Sequence, residues 1–181
     1  VLEPIVATHY SKRTGNKVRK VNAILQHPEH PFMLANLDRE VIGQPDVQIL
    51  ECKTAGAYGA KAWKDGVPEY VLVQVMHQLA VTGKQAADVA VLIAGQDLQI
   101  HRVYRDEALI AQLIELEAQF WWHVENNIPP AADGSDSAAQ ALQALFQHDN
   151  GHILDLTYDA DMNAVFDELV TIRNHLDDYK A

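Results

Sequence analysis

The sequence predicts an α/β protein whose core is a mixed central sheet flanked by helices. Three observations carry this expectation. The order of elements reads helix, three strands, helix, strand, strand, helix, which is the pattern of a layered α/β core. Residues 87–94 form an apolar run of strand length broken only by Asp88, as expected of a strand covered on both faces. Residues 98–104 then alternate apolar and polar across Gly95, as a paired strand should.

Taken in order, residues 4–14 read as a helix stopped by Gly15, with Lys12 and Arg13 in its last turn. Residues 18–26 alternate with strand period. His27-Pro28-Glu29-His30-Pro31 is a turn, because proline and its predecessor are barred from helix. Residues 32–38 and 47–53 read as two further strands around a turn at 43–45, giving an antiparallel meander of three. Pro68 opens a helix that Gly83 stops. Asp106 caps a long helix through 126, whose apolar positions include Leu109, Leu113, Leu116, Phe120, Trp121 and Val124. Pro129-Pro130 ends it, and 131–137 reads as a linker. Beyond lie a short helix at 138–147, a strand at 152–157, and an acidic final helix with Met162, Val165, Phe166, Leu169, Ile172 and Leu176 at helical spacing. The division expected is a core over 1–130 and a mainly helical acidic extension over 131–181.

The 181 residues carry a formal net charge of −11, with 48% hydrophobic and 22% charged residues. That is ordinary globular composition. No apolar run approaches the roughly 18–20 residues of a membrane span. A single cysteine, Cys52, excludes a disulfide framework and makes a structural zinc site a poor fit. The negative balance argues against holding nucleic acid by bulk charge, but the charge is unevenly divided. Residues 1–66 hold nine basic residues against seven acids, a net of +2, and the remainder nets −13. Five of the basic residues, Lys12, Arg13 and Lys17 among them, fall within positions 12–20. They read either as a solvated surface or as a contact for a phosphate backbone. The chain starts at Val1 and ends inside a helical pattern, so it reads as a piece of a longer protein lacking an N-terminal portion.

The candidate chemistry centres on Glu51-Cys52-Lys53. On a strand, Glu51 and Lys53 share one face while Leu50 and Cys52 point to the other. A carboxylate beside an ammonium at the end of an apolar strand is costly unless it is used. Glu51 could bind a divalent cation, and Lys53 could orient or deprotonate a water and stabilise charge on a phosphate. The same acid-x-Lys spacing recurs as Asp178-Tyr179-Lys180, where it lies on a helix and the two residues share no face. Asp38, with twelve residues between it and Glu51, could approach it from an adjacent strand, or could be a turn carboxylate. Two carboxylates with spare coordination positions suit magnesium or manganese. On the helix after Pro68, Tyr70, Gln74, His77 and Gln78 make one polar stripe on an otherwise apolar surface. The stripe reads as a satisfied core network or as Gln74 and Tyr70 positioning a water or phosphate beside Lys53.

The set Glu3-Pro4, Asp38, Leu50-Glu51-Cys52-Lys53 and Tyr70-x-x-x-Gln74-Val75-x-His77-Gln78-Leu79-x-Val81-Thr82-Gly83 resembles the YqaJ-like viral recombinase family. These are phage alkaline exonucleases related to lambda exonuclease, within the PD-(D/E)xK nuclease superfamily. The likeness covers about residues 1–130. Leu37 stands where the superfamily often has proline, and the family's additional N-terminal segment is not in this sequence.

The resemblance implies a restriction-endonuclease-like core that degrades one strand of linear duplex DNA from its 5′ end with Mg2+ or Mn2+. It implies Asp38 and Glu51 as metal ligands, the Cys52 main-chain carbonyl as part of the shell, and Glu3 reaching the metal directly or through water. Lys53 would activate the attacking water with Gln74 in support, while Tyr70 and the basic cluster would contact DNA. It further implies a role in recombination in a bacterial cytoplasm as a phage or prophage product, beside a single-strand annealing protein and with a ring-shaped trimer. An endonuclease of the same superfamily and a non-catalytic DNA- or partner-binding module are the alternatives. Setting aside Glu3, Asp38 and Glu51, residues 1–66 carry +5, so the total of −11 does not oppose a DNA-cleaving site.

Overall fold

A computed structural model describes residues 2–148, 151–153 and 155–180. It divides into two compact units, residues 1–130 and 131–181. In the first, helix α1 (Glu3–Thr14) precedes strands β1 (Lys17–Lys20), β2 (Leu25–Gln26), β3 (Leu34–Ala35), β4 (Arg39–Ile42) and β5 (Ile49–Ala55). A 3-10 turn (Gly59–Trp63), helix α2 (Glu69–Thr82), strands β6 (Ala86–Ile93) and β7 (Asp97–Tyr104), and helix α3 (Glu107–Asn126) follow.

The main sheet has the order β1-β4-β5-β6-β7. Only β5 and β6 run parallel, with Glu51 beside Val89 and Lys53 beside Val91. A parallel pair needs a long crossover, and α2 supplies it. Strand alternation divides the core into two layers. Ile49, Val89, Val91 and Val103 pack under α2 and α3 with Val71, Val75, Leu79 and Ile110. Leu50, Ala90 and Val41 pack under α1 with Val6 and Tyr10. Glycine ends both flanking helices in the left-handed conformation that favours it, at Gly15 (φ 77°) and Gly83 (φ 66°). The Asp106 carboxylate accepts from Ala108 N and Leu109 N at the start of α3.

The meander expected before α2 is corrected in detail. Residues 18–26 do not form one strand, because Val21–Ile24 lie outside any ladder between β1 and β2. The expected strand at 32–38 shrinks to Leu34–Ala35, which pairs with β2 in a separate two-stranded sheet. The strand that enters the main sheet is instead β4, one residue beyond Asp38. Its alternation is real, with Arg39 and Val41 buried, but a charged Arg-Glu start disguises it.

The second unit holds helices α4 (Asp136–Leu145) and α5 (Ala160–Lys180). The strand expected at 152–157 is absent among the described residues there, and residue 154 lies outside them.

Candidate active site

The site grows from the pleat of β5 against the pitch of α2. Glu51 and Lys53 both face α2, and Gln74 and Gln78, four apart on that helix, face back. Lys53 Nζ donates to Glu51 Oε1 and to Gln74 Oε1, each at 2.8 Å. Gln74 Nε2 donates to the same Glu51 oxygen at 2.8 Å, closing a three-membered ring of hydrogen bonds. Gln78 Nε2 donates to the other oxygen, Glu51 Oε2, at 2.9 Å and to Asn36 O at 3.1 Å. Glu51 is only 4% exposed. A carboxylate so buried needs this many donors, and here it has three.

Asp38 arrives from the neighbouring chain segment. Its Oδ2 accepts from Cys52 N at 2.8 Å, which holds it on the strand between Glu51 and Lys53. Burial, then the charges of Glu51 and Glu3, push the Asp38 carboxyl up to about 6, against the Cys52 N–H and Lys53, which favour its ionised form. Burial and the nearby Asp38 push the Cys52 thiol up to about 12. The sulfur therefore stays protonated at neutral pH, leaving the main-chain carbonyl as the only donor Cys52 can offer a hard cation.

The other expected residues are placed less uniformly. The Glu3 carboxylate, at the start of α1, accepts from the guanidinium of buried Arg39. Arg39 also donates to the Asp38 carbonyl. Glu3 is thus close enough to act on Asp38 electrostatically, yet it is ion-paired. Tyr70 is 69% exposed, one helical turn before Gln74. Lys12 and Arg13 sit at the opposite end of α1 from Glu3, about 14 Å along the helix axis. Arg13 donates to the Leu98 carbonyl on β7. Lys17 lies opposite Ile42, at the end of β1 away from Asp38, whereas Lys20 lies opposite Arg39. Lys20 also lines a cleft of about 540 Å³ with Arg19, Lys84, Glu40 and Leu37, the residue beside Asp38. Within the basic cluster at 12–20, the residue that the register sets nearest Asp38 is therefore Lys20, and not Lys12, Arg13 or Lys17.

Gln78 and Arg39 were not singled out either. Gln78 belongs to the polar stripe that the sequence displays, but nothing in the spacing separates it from His77. Structurally the two differ: His77 Nδ1 meets Glu117 Oε1 at 2.7 Å and Nε2 meets the Leu34 carbonyl at 3.0 Å, tying α2 to α3 and β3. Arg39 gives no sequence signal, because its role depends on α1 and β4 being adjacent.

Among the described residues, no three His, Cys, Asp or Glu side chains group closely enough to hold a metal on their own. The donors at hand are two carboxylates and a carbonyl, all oxygen, with negative charge that Asp38 relieves only by keeping its proton. Such a set fits magnesium or manganese, which complete their shells with water and substrate oxygens. It does not fit zinc.

The Asp38 shift predicts a pH effect whose sign is fixed. Asp38 keeps its proton to about 6 in the fold, against 3.8 for the ordinary carboxyl. Between those values the folded state binds more protons, so the stabilising contribution is present below pH 3.8 and is lost as pH rises through about 6. In chelator, Tm measured from pH 4 to 6 should therefore carry a falling component that Asp38→Asn removes. An unchanged slope in that variant would contradict the placement of Asp38.

Residues 1–85 match the family model described as the YqaJ-like viral recombinase domain. The chain is 42% identical over 162 residues to the uncharacterized protein YqaJ of Bacillus subtilis (strain 168). That alignment takes in 87% of this chain and 50% of the relative, so the chain spans about half the length of that protein. In fold it is similar to an alkaline exonuclease, LHK-Exo, from Laribacter hongkongensis. The TM-score is 0.61 at 26% identity, covering 80% of this chain and 72% of that one. A crystal structure of LHK-Exo in complex with dAMP matches with a TM-score of 0.60 at 27% identity, covering 80% of this chain and 69% of the other.

Proposed function

We propose, from the match of residues 1–85 to the YqaJ-like viral recombinase domain model, that the protein is a metal-dependent exonuclease. It would degrade one strand of linear double-stranded DNA in the 5′→3′ direction. The observation that carries the reading is the closed set of Glu51, Lys53 and Gln74 with Asp38 held on the intervening Cys52 N–H. Likeness to an alkaline exonuclease supports it.

Asp38, Glu51 and the Cys52 carbonyl would hold Mg2+ or Mn2+. When bound, such an ion supplies positive charge at a phosphate and acidifies a coordinated water. Lys53 does the rest of the positioning. Its ammonium, restrained by Glu51 and Gln74, is available to hold the attacking water and to donate to a phosphate oxygen as charge builds there. Gln74 acts through Lys53 and Glu51, fixing both with one side chain. Tyr70, exposed beside them, would meet the DNA. From the same resemblance we infer a role in phage-type recombination beside a single-strand annealing protein, in a bacterial cytoplasm. None of the described helices is long and apolar enough to cross a membrane.

The test is digestion of linear duplex labelled at the 5′ or at the 3′ end, with Mg2+ or with chelator, alongside covalently closed circles. Early release of 5′ label as mononucleotide, only with Mg2+ and with circles intact, is expected. Cut circles would make it an endonuclease, and binding without strand loss in Mg2+ would make it a non-catalytic module.

A further inference from the structure

The candidate active site contains a buried amide whose part in the chemistry is still open. Gln78 is 3% exposed. Both hydrogens of its Nε2 are used, one on Glu51 Oε2 at 2.9 Å and the other on Asn36 O at 3.1 Å. Glu51 lies on β5, and Asn36 lies two residues before Asp38. One side chain of α2 therefore fastens both carboxylate-bearing segments. Its orientation is set by chemistry, since turning the amide over would lay its oxygen against a carboxylate and a carbonyl, two acceptors.

The occupancy of the Glu51 oxygens distinguishes them. A carboxylate oxygen has two acceptor sites. On Oε1 both are taken, by Lys53 Nζ and Gln74 Nε2. On Oε2, among the described residues, Gln78 takes one and the other stays open. Gln78 thus holds the oxygen that can still accept a cation, in a carboxylate too buried for water to hold it instead. A second feature points the same way. Gln78 Oε1 is buried and accepts from no described residue. A buried acceptor without a donor costs about 1–3 kcal/mol and calls for a functional reason. A water carried by a cation at Glu51 Oε2 is a donor of the kind this atom lacks.

We propose that Gln78 is a positioning residue for the metal. Through Glu51 Oε2 and the Asn36 carbonyl it fixes the open carboxylate oxygen and its spacing from Asp38, and so sets the affinity of the site for Mg2+ or Mn2+. The inference rests on the nuclease reading of the same site, and adds to it the residue that governs metal affinity without touching the metal or the DNA.

The test reads the metal directly, on the whole chain and without DNA. Mn2+ is titrated against the protein, and the free ion is followed by electron paramagnetic resonance. Gln78→Met keeps the length of the side chain and loses the amide, and it should weaken Mn2+ binding about 10–100-fold, the usual effect of removing an outer-shell partner. Gln78→Asn, whose amide falls one methylene short of Glu51, should shift it the same way and serves if the methionine variant does not fold. His77→Ala is the control. It breaks the ties of the same helix to Glu117 and Leu34, so it should lower Tm and leave Mn2+ binding unchanged. In digestion of linear duplex, Gln78→Met should need about 10–100-fold more Mg2+ for half its rate and recover most of that rate at saturating Mg2+. A role confined to packing would lower the rate at every Mg2+ concentration. Mn2+ binding equal to the parent's in both Gln78 variants, or an equal weakening in His77→Ala, would overturn the proposal and leave the nuclease reading standing. A parent chain that leaves all Mn2+ free would overturn both.

Discussion

Lys53→Ala is expected to lower the rate of duplex digestion by about 10²–10⁴-fold, the range seen when a positioned proton-transfer or charge-stabilising group is removed. The physical basis is that Lys53 Nζ is the one cation hydrogen-bonded to both Glu51 and Gln74, at 2.8 Å from each. Truncation removes that cation and, on the proposed mechanism, would leave the water and phosphate held by Asp38, Glu51 and their metal alone. The fold should survive. Glu51 keeps two donors, Gln74 Nε2 and Gln78 Nε2, so the buried carboxylate is not stranded. The readout is therefore a large loss of rate with little change in Tm. Lys53→Arg should recover part of the rate, since the charge returns but the planar guanidinium does not fit an ammonium's place. Full activity in Lys53→Ala would remove the mechanism.

Asp88→Ala should be the most destabilising change away from the site, costing about 3–5 kcal/mol, the usual effect of breaking a buried charge pair by removing one partner. Asp88 lies on β6 and is 2% exposed. Its Oδ2 accepts from the Tyr10 hydroxyl at 2.7 Å, and Arg102 on β7 grips both its oxygens. Tyr10 is itself fully buried on α1, and burial with the Asp88 contact raises its hydroxyl to about 12. One carboxylate thus fastens α1 to the sheet on the face opposite the candidate active site. Its loss leaves the tyrosine hydroxyl with only Asn16 and partly frees Arg102, a third of whose side chain is exposed. Asp88→Asn, which still accepts from Tyr10, should cost less, about 1–2 kcal/mol. Chemical denaturation of both variants checks the order, and a neutral Asp88→Ala would mean that the pair is dispensable.

Read from residues alone, the chain yields most of its long elements because their causes are local. Gly15 and Gly83 stop helices, Pro68 and Asp106 start them, and the apolar run 87–94 is of strand length and suits a strand with both faces covered. The shared face of Glu51 and Lys53 is equally local, following from the period of two along β5. The helical spacing of the apolar residues of α5 is written in its sequence too. Short strands are another matter. β3 and β4 differ by a few residues and by which sheet they join, and that choice is made by pairing with β2, β1 and β5 rather than by any preference of their own.

The same division holds at the candidate site. Sequence fixes which side chains share a face: Glu51 with Lys53, and Gln74 with Gln78. Only the tertiary structure decides which faces meet. It turns Gln74 and Gln78 onto Glu51 while sending His77 to Glu117, although all three lie on one stripe. It seats Asp38 on the Cys52 N–H from a segment outside the expected strand, spends Glu3 on Arg39, and sets Lys20 nearer to Asp38 than Lys12 or Lys17. The reason is that hydrogen bonds and ion pairs between distant elements depend on register and packing, which no local periodicity encodes.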